Sequence, residues 1–198
     1  MSLPTGAGVN SLQTSGSTTF VGGNFSTDDF DNIFAVASSG VTPLAGNGLN
    51  GEVVSMLLNG TILYVGGKFT DTKSGGSTGL SNVGAYDTSK NTWVPLGAGV
   101  SGQVSSVVPL VMNVTSNTPE VVITFTGDFR QILAFGSNSS VAVNGFAVWV
   151  PSHSNWLQNL DFATPSVTGQ LTASVDLPDG GSLFAGSLSS SQLSANGA

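Results

Sequence analysis

The sequence predicts an all-β chain assembled from repeats of one four-stranded antiparallel unit. Short runs rich in Val, Leu, Ile and Phe recur between clusters of turn residues. A strand-like run followed by paired glycines recurs with them. Charged residues make up only 8% of the chain against 27 glycines, whereas helices with solvated faces call for more Lys, Glu and Arg.

The best-preserved unit lies between Val53 and Gly102. Val53–Leu58 and Thr61–Val65 are apolar runs joined by Asn59-Gly60, which suits a type I′ hairpin turn because both central residues need positive φ. Gly66-Gly67 ends the second run, as a tight turn where neighbouring strands approach closely. Val83–Tyr86 supplies a third strand and Thr92–Pro95 a fourth, across the polar turn Asp87–Asn91. Four short strands in about fifty residues is the size of one β-propeller blade.

The other units follow from this one. Leu3–Gly8 reads as the tail of a unit, like Leu96–Gly99. Val9–Leu12 matches Val53–Met56, and Thr19–Phe25 matches Leu63–Phe69 at the same offset. Asn32–Val36 matches Asn82–Tyr86, and Pro43-Leu44 matches Pro95-Leu96. In the third unit Val122–Phe129 matches Ile62–Phe69, with Thr126 in place of one glycine. Phe146–Trp156 matches Val83–Trp93, which aligns Tyr86 with Trp149 and Trp93 with Trp156. Insertions at Val111–Pro119 and Arg130–Asn144 enlarge this copy. Gly169 restarts the cycle and Ser182–Leu188 is a fourth copy of the glycine strand. The expected units are 9–51, 52–102, 103–169 and a partial 170–198, about three and a half blades. A closed propeller needs about four to eight, so the expectation is one β-repeat domain fragment from an incomplete propeller.

Charge and composition exclude several functions. The formal net charge is −7, and Lys68, Lys73, Lys90 and Arg130 are the only Lys and Arg residues. Four scattered cations cannot neutralise a phosphate track or an anionic membrane surface, so no nucleic-acid partner is expected. With no cysteine there is no disulfide framework, thiolate metal site or cysteine nucleophile. No apolar window approaches the roughly 18 residues of a membrane span, and Met1–Gly8 lacks the features of a signal peptide.

No catalytic, cofactor-binding or metal-binding residues emerge. Gly22-Gly23 and Gly66-Gly67 lack the Lys-Ser/Thr pair and following helix of a phosphate-binding loop. Tyr86, Trp93, Trp149 and Trp156 could line a sugar-binding shelf, but their repeated positions favour packing between blades. Asp28, Asp29 and Asp31 cluster without the spacing of a calcium loop and read as a solvated loop. Asp128 and Asp161 show no carboxylate-pair pattern. His153, the only histidine, sits in an exposed polar turn, and no GxSxG motif accompanies it. Four N-glycosylation sequons remain, at Asn24, Asn59, Asn113 and Asn138. Their number carries little weight in a chain so rich in Ser and Thr. Each falls in a turn, an insertion or an outward strand position, where a glycan needs to be.

Gly66-Gly67, Tyr86-Asp87 and Trp93 together resemble the kelch motif of β-propellers. The longer phrases LYVGGKFT, NVGAYDTSKNTWVPLGAGVSG, EVVITFTGDFRQILAFG, GFAVWVPSHSNWLQN and LFAGSLSSSQLSANGA resemble the fungal cortical cell-polarity marker family, the bud-site-selection landmark glycoproteins. The resemblance covers nearly the whole chain. It implies a non-enzymatic section of a kelch-like ectodomain from a membrane-anchored cell-surface glycoprotein. Such a protein marks sites of polarised growth or budding on the extracellular side of the plasma membrane, through protein or cell-wall contacts. The rival expectation is a fragment of a carbohydrate-binding or carbohydrate-oxidising kelch propeller. A copper-radical oxidase site needs cysteine and several histidines, and this segment cannot hold one alone.

Overall fold

The computed structural model describes residues 3–114, 119–160, 167–176, 182–190 and 194–196. The chain is all-β, in successive antiparallel sheets. The first sheet is β1 (Gly8–Ser15), β2 (Thr18–Ser26), β3 (Asp31–Ala37) and β4 (Gly40–Pro43), in that order. The second is β5 (Glu52–Asn59), β6 (Ile62–Lys68), β7 (Val83–Asp87) and β8 (Thr92–Val94), again in order. Next come β9 (Gln103–Asn113), β10 (Pro119–Asp128), a two-stranded ribbon β11 (Gln131–Ile132) and β12 (Val141–Ala142), then β13 (Phe146–Val150) and β14 (Asn155–Trp156). The third sheet has the order β14-β13-β10-β9. The last is three-stranded: β15 (Val167–Asp176), β16 (Ser182–Ser190) and β17 (Ser194–Asn196). Among the described residues no sheet closes on itself.

The glycine pairs do not end their strands. Gly22-Gly23 lies inside β2 and Gly66-Gly67 inside β6. The first glycine of each pair forms a socket for the next sheet. A Cβ at Gly22 would stand 2.6 Å from Val53 Cγ1, and one at Gly66 would stand 2.5 Å from Val104 Cγ1. The second glycine lies against the bent neighbouring strand, with its missing Cβ 2.0 Å from Gly8 O in one case and Glu52 O in the other. That strand is bent because each first strand carries a bulge there. The register skips one residue between Val9 and Ser11, Val53 and Ser55, Val104 and Ser106, and Leu171 and Ala173. A bulge adds local twist, so all four sheets bend at the same position.

Two further expectations are corrected. Asn59 is the last residue of β5, pairing with Ile62, so the hairpin turn is Gly60-Thr61. Gly60 has φ +60° while Thr61 is not left-handed, which fits a type II′ turn, where only the first central residue must be glycine. Gly16-Ser17 repeats it between Ser15 and Thr18. Gly8 is not the tail of a unit: it opens β1 opposite Asn24, as Glu52 opens β5 opposite Lys68. Leu3 and Ala7 instead pack against Val21, Phe25, Phe30 and Phe34.

Entry into the third strand of each of the first three sheets, β3, β7 and β13, uses a left-handed residue. Asn32 and Asn82 have φ 61° and 62°, and Gly145 has φ 73° at the matching point. Asn is the non-glycine residue best suited to this conformation. Its side chain also holds the segment that leads out of its own unit, since Asn32 Nδ2 donates to Leu49 O and Asn82 Nδ2 to Val100 O, both at 2.9 Å.

The core lies between sheets. Phe20, Ile33, Leu44 and Leu49 of the first sheet and its following loop meet Val53, Met56, Leu63, Phe69 and Tyr86. Tyr64, Val83, Leu96 and Val100 meet Val104, Val107, Phe125, Phe129, Trp149 and Trp156. Val108, Val122, Phe146 and Val148 meet Leu171 at the third boundary.

Candidate interaction surface

The aromatic residues weighed as a sugar shelf are packing groups. Tyr86 pairs with Trp93 across β7 and β8, and Trp149 with Trp156 across β13 and β14. The rings meet edge to face, at 5.0 Å and 5.3 Å between centroids. Tyr86, Trp149 and Trp156 are buried and Trp93 is half-buried. Trp93 Nε1 donates to Ala45 O at 2.8 Å, whereas Trp156 Nε1 is buried and has no hydrogen-bond partner among the described residues.

Asp31, Asp71 and Asp87 have structural partners. Lys73, on the loop between β6 and β7, reaches the preceding sheet and pairs with Asp31 Oδ1 at 3.0 Å. Its ammonium also donates to the backbone carbonyls of Thr27 and Asp28, so one lysine holds the loop that contains Asp28 and Asp29. Asp71 organises the lysine's own loop by accepting from the backbone N–H groups of Thr72, Gly76 and Ser77. Asp87 accepts from Ser89 Oγ and the N–H groups of Ser89 and Lys90, and pairs with Lys90 Nζ at 2.9 Å. The Ser89 hydroxyl and then the Lys90 ammonium hold its carboxyl well below the usual carboxylate range. Among the described residues no three His, Cys, Asp or Glu side chains come together to hold a metal ion. Asp161 lies outside the described residues.

His153 is exposed on the turn before β14, beside Ser152. Ser152 Oγ donates to Glu120 Oε2 at 2.5 Å and lies 2.9 Å from His153 Nδ1. A catalytic triad needs the acid on the histidine, where it sets the tautomer and steadies the imidazolium. Here Glu120 contacts the serine.

The most prominent addition to the repeat is the Arg130–Asn144 insertion. Ile132 is buried in the core between the second and third sheets, and Phe135 packs over Gly97. Val143 N donates to Arg130 O at 2.9 Å, and the Arg130 guanidinium donates to Asn144 Oδ1. At the tip, Phe135 and Asn138 exchange backbone hydrogen bonds of 3.1 and 2.9 Å. Gln131, Ser137, Ser139 and Ser140 face solvent. Beside the insertion is an open, polar cavity of about 470 Å³ lined by Ser105, Asp128, Arg130, Asn144 and Ser187. A second one, of about 390 Å³ and with a more apolar lining, lies one sheet earlier, where Lys68 occupies the position of Asp128. The other insertion extends the β9–β10 ladder through Met112–Glu120 and Asn113–Pro119.

Asn24, Asn59 and Asn113 are exposed, and Asn138 is half-buried at the insertion tip. Thr115 of the Asn113 sequon lies outside the described residues. Sequence reasoning missed the Lys73 clasp and the left-handed asparagines. Recurrence of Asn at the start of the third strand was the available signal for the latter.

No family model matches the chain. It is 45% identical over 192 residues to Polarized growth protein L1 of Phoma sp., across 96% of this chain and 14% of that protein. The chain is a homologue of the fungal polarized growth proteins. A second polarized growth protein, rax2 of Schizosaccharomyces pombe, is 29% identical over 150 residues, across 75% of this chain and 13% of that protein. The chain therefore spans about one seventh of the length of either relative. The family resemblance carried by the sequence phrases is shown by this homology. Neither relative's name describes an enzyme. Among the described residues no helix is long and apolar enough to cross a membrane.

Proposed function

We propose that residues 1–198 belong to the extracellular part of a cell-surface glycoprotein that marks sites of polarised growth, without catalysis of their own. The observation that carries this reading is the 45% identity to Polarized growth protein L1 along 96% of the chain. The sheets are kelch-like blades, in units 9–51, 52–102, 103–169 and 170–198, and serve as a rigid mount. Function lies on the loops and insertions, as is common for scaffolds of packed sheets. The Arg130–Asn144 insertion is the contact surface for a protein or cell-wall partner, because it is anchored by buried Ile132 while presenting a polar, solvated edge. Glycans on Asn24, Asn59, Asn113 and Asn138 project away from the seams. The membrane anchor of the parent protein lies outside this segment.

Alanine replacement of Gln131, Ser137 and Ser139 together tests the reading, because it spares Ile132, Phe135 and the Asn138 sequon. The full-length variant is expected to reach the cell surface with unchanged thermal stability and to misplace growth sites. Normal growth-site placement by a stably folded variant would overturn the assignment of this surface.

A further inference from the structure

We propose that the outer face of the first sheet is a docking face for a further sheet of the same repeat, carried by the same polypeptide. The residue just before the bulge in each first strand differs in exposure between the sheets. Val53 and Val104 are 0% exposed and Leu171 is 1% exposed, yet Val9 is 48% exposed. The residue three positions on behaves likewise: Met56 is 3% and Val107 5% exposed, whereas Leu12 is 58% exposed. Backbone register makes these positions equivalent, since Val9, Val53 and Val104 each pair with the second residue of a glycine pair or its counterpart Gly127.

In the buried copies the covering partner has a defined form. Val53 and Met56 sit over Gly22, and Val104 and Val107 over Gly66. Leu171 sits by Thr126, whose hydroxyl donates to Leu171 O at 3.1 Å. The backbone beside each buried pair is also met. Met56 N donates to Ser11 Oγ and Val107 N to Ser55 Oγ, each at 3.1 Å. Leu12 N holds the same place in β1. Next to them Phe25, Phe30 and Phe34 are buried, with Leu3, Ala7, Val36 and Val41 packed against them, so Val9 and Leu12 are the uncovered apolar groups of the seam.

The same seam thus recurs three times in the chain, each time between sheets consecutive in sequence. Val9 and Leu12 present the receiving half of a fourth. The occupant has glycine or threonine at the socket of its second strand and serine at the seam position of its first. A relative of which this chain spans 14% has ample length for such a sheet. The inference rests on the recurring seam and not on the surface-marker reading, so failure of that reading leaves it standing.

The test is photocrosslinking in the full-length protein, with p-benzoylphenylalanine placed at Leu12 and, separately, at Val9. Peptide mapping is expected to find an adduct within one polypeptide, on a strand outside residues 1–198 that carries Gly or Thr at the crosslinked point. Position 121, exposed on the third sheet, serves as the control and should give no such adduct. Leu12→Lys should also lower the full-length protein's melting temperature more than Val121→Lys does. An adduct to a second copy of the chain, an adduct to a different protein, or a protein with neither adduct nor destabilisation by Leu12→Lys would each overturn the proposal.

Discussion

The seam between the first and second sheets and the seam between the second and third share backbone geometry but are held by different chemistry. The first is stitched with polar groups. Asn10 Nδ2 donates to Glu52 Oε1 and Val53 O, and Gln13 donates to Met56 O while accepting from Leu58 N. Tyr86 OH accepts from Ala45 N, Trp93 Nε1 donates to Ala45 O, and Lys73 spans to Asp31. The second seam has fewer side-chain ties, chiefly Ser55 Oγ to Val107 N and Ser101 Oγ to the N–H groups of Arg130 and Gln131. It is filled with more aromatic volume, from Phe125, Phe129, Trp149 and Trp156. Conserved backbone register therefore does not require conserved seam chemistry. Directional bonds hold one boundary and close packing the other.

The largest expected effect is at the aromatic seam. Trp156→Ala should cost about 3–5 kcal/mol, as large buried deletions do, read by chemical denaturation. Trp93→Ala should cost clearly less, because the side chain is half-buried and one hydrogen bond is lost. Equal losses would break the distinction between the seams.

The glycine sockets sharpen it at intermediate scale. Gly66→Ala should destabilise by about 1–3 kcal/mol through overpacking, since its Cβ would meet Val104 and Val107, both β-branched. Gly22→Ala should cost less, because one of its two neighbours is the thioether end of Met56, which moves readily. Thermal melts of both variants rank them, and the reverse order would show that Met56 does not yield.

The smallest effect is the acid response of the second sheet. Hydrogen bonds from Ser89 and the Lys90 ammonium lower the folded-state pKa of Asp87. The carboxylate therefore contributes stability above the ordinary Asp pKa of about 4, and this is lost as pH falls further towards the folded value. Comparing melts of the wild type and Asp87→Asn from neutral pH down to about pH 3 should show a shallower decline in the variant. Identical slopes would remove Asp87 from the acid response.

Much of the fold was legible because the repeat is written in side-chain volume as well as pattern. Aligning Tyr86 with Trp149 and Trp93 with Trp156 anticipates two ring pairs that the structure forms. Phe25, Phe69 and Phe129 align and are all buried. The misreadings concern glycine. Gly66-Gly67 lies in extended backbone within β6, because the missing Cβ makes room for a neighbouring sheet. Sequence alone does not distinguish that use from a turn. Asn59-Gly60 carries a turn dipeptide, yet strand pairing extends one residue further and moves the turn. The bulges leave no uniform composition mark, since Asn10, Ser105 and Thr172 are polar and Val54 is apolar. The Lys73 clasp joins residues over forty positions apart, and only folding brings them together. For the candidate surface, the sequence showed where Arg130–Asn144 departs from the repeat. It could not show that Ile132 is buried while Gln131 beside it is exposed.

The Lys73 clasp has a consequence for how damage spreads. In an array of packed units, stability is approximately a sum of unit terms and nearest-neighbour terms. Lys73 belongs wholly to one such nearest-neighbour term: it springs from the second unit and ends on the first. Loss of its charge weakens one junction and leaves the next unchanged. The chain can therefore accumulate lesions locally, and an insertion as long as Arg130–Asn144 can be absorbed by the third unit without a compensating change in the first.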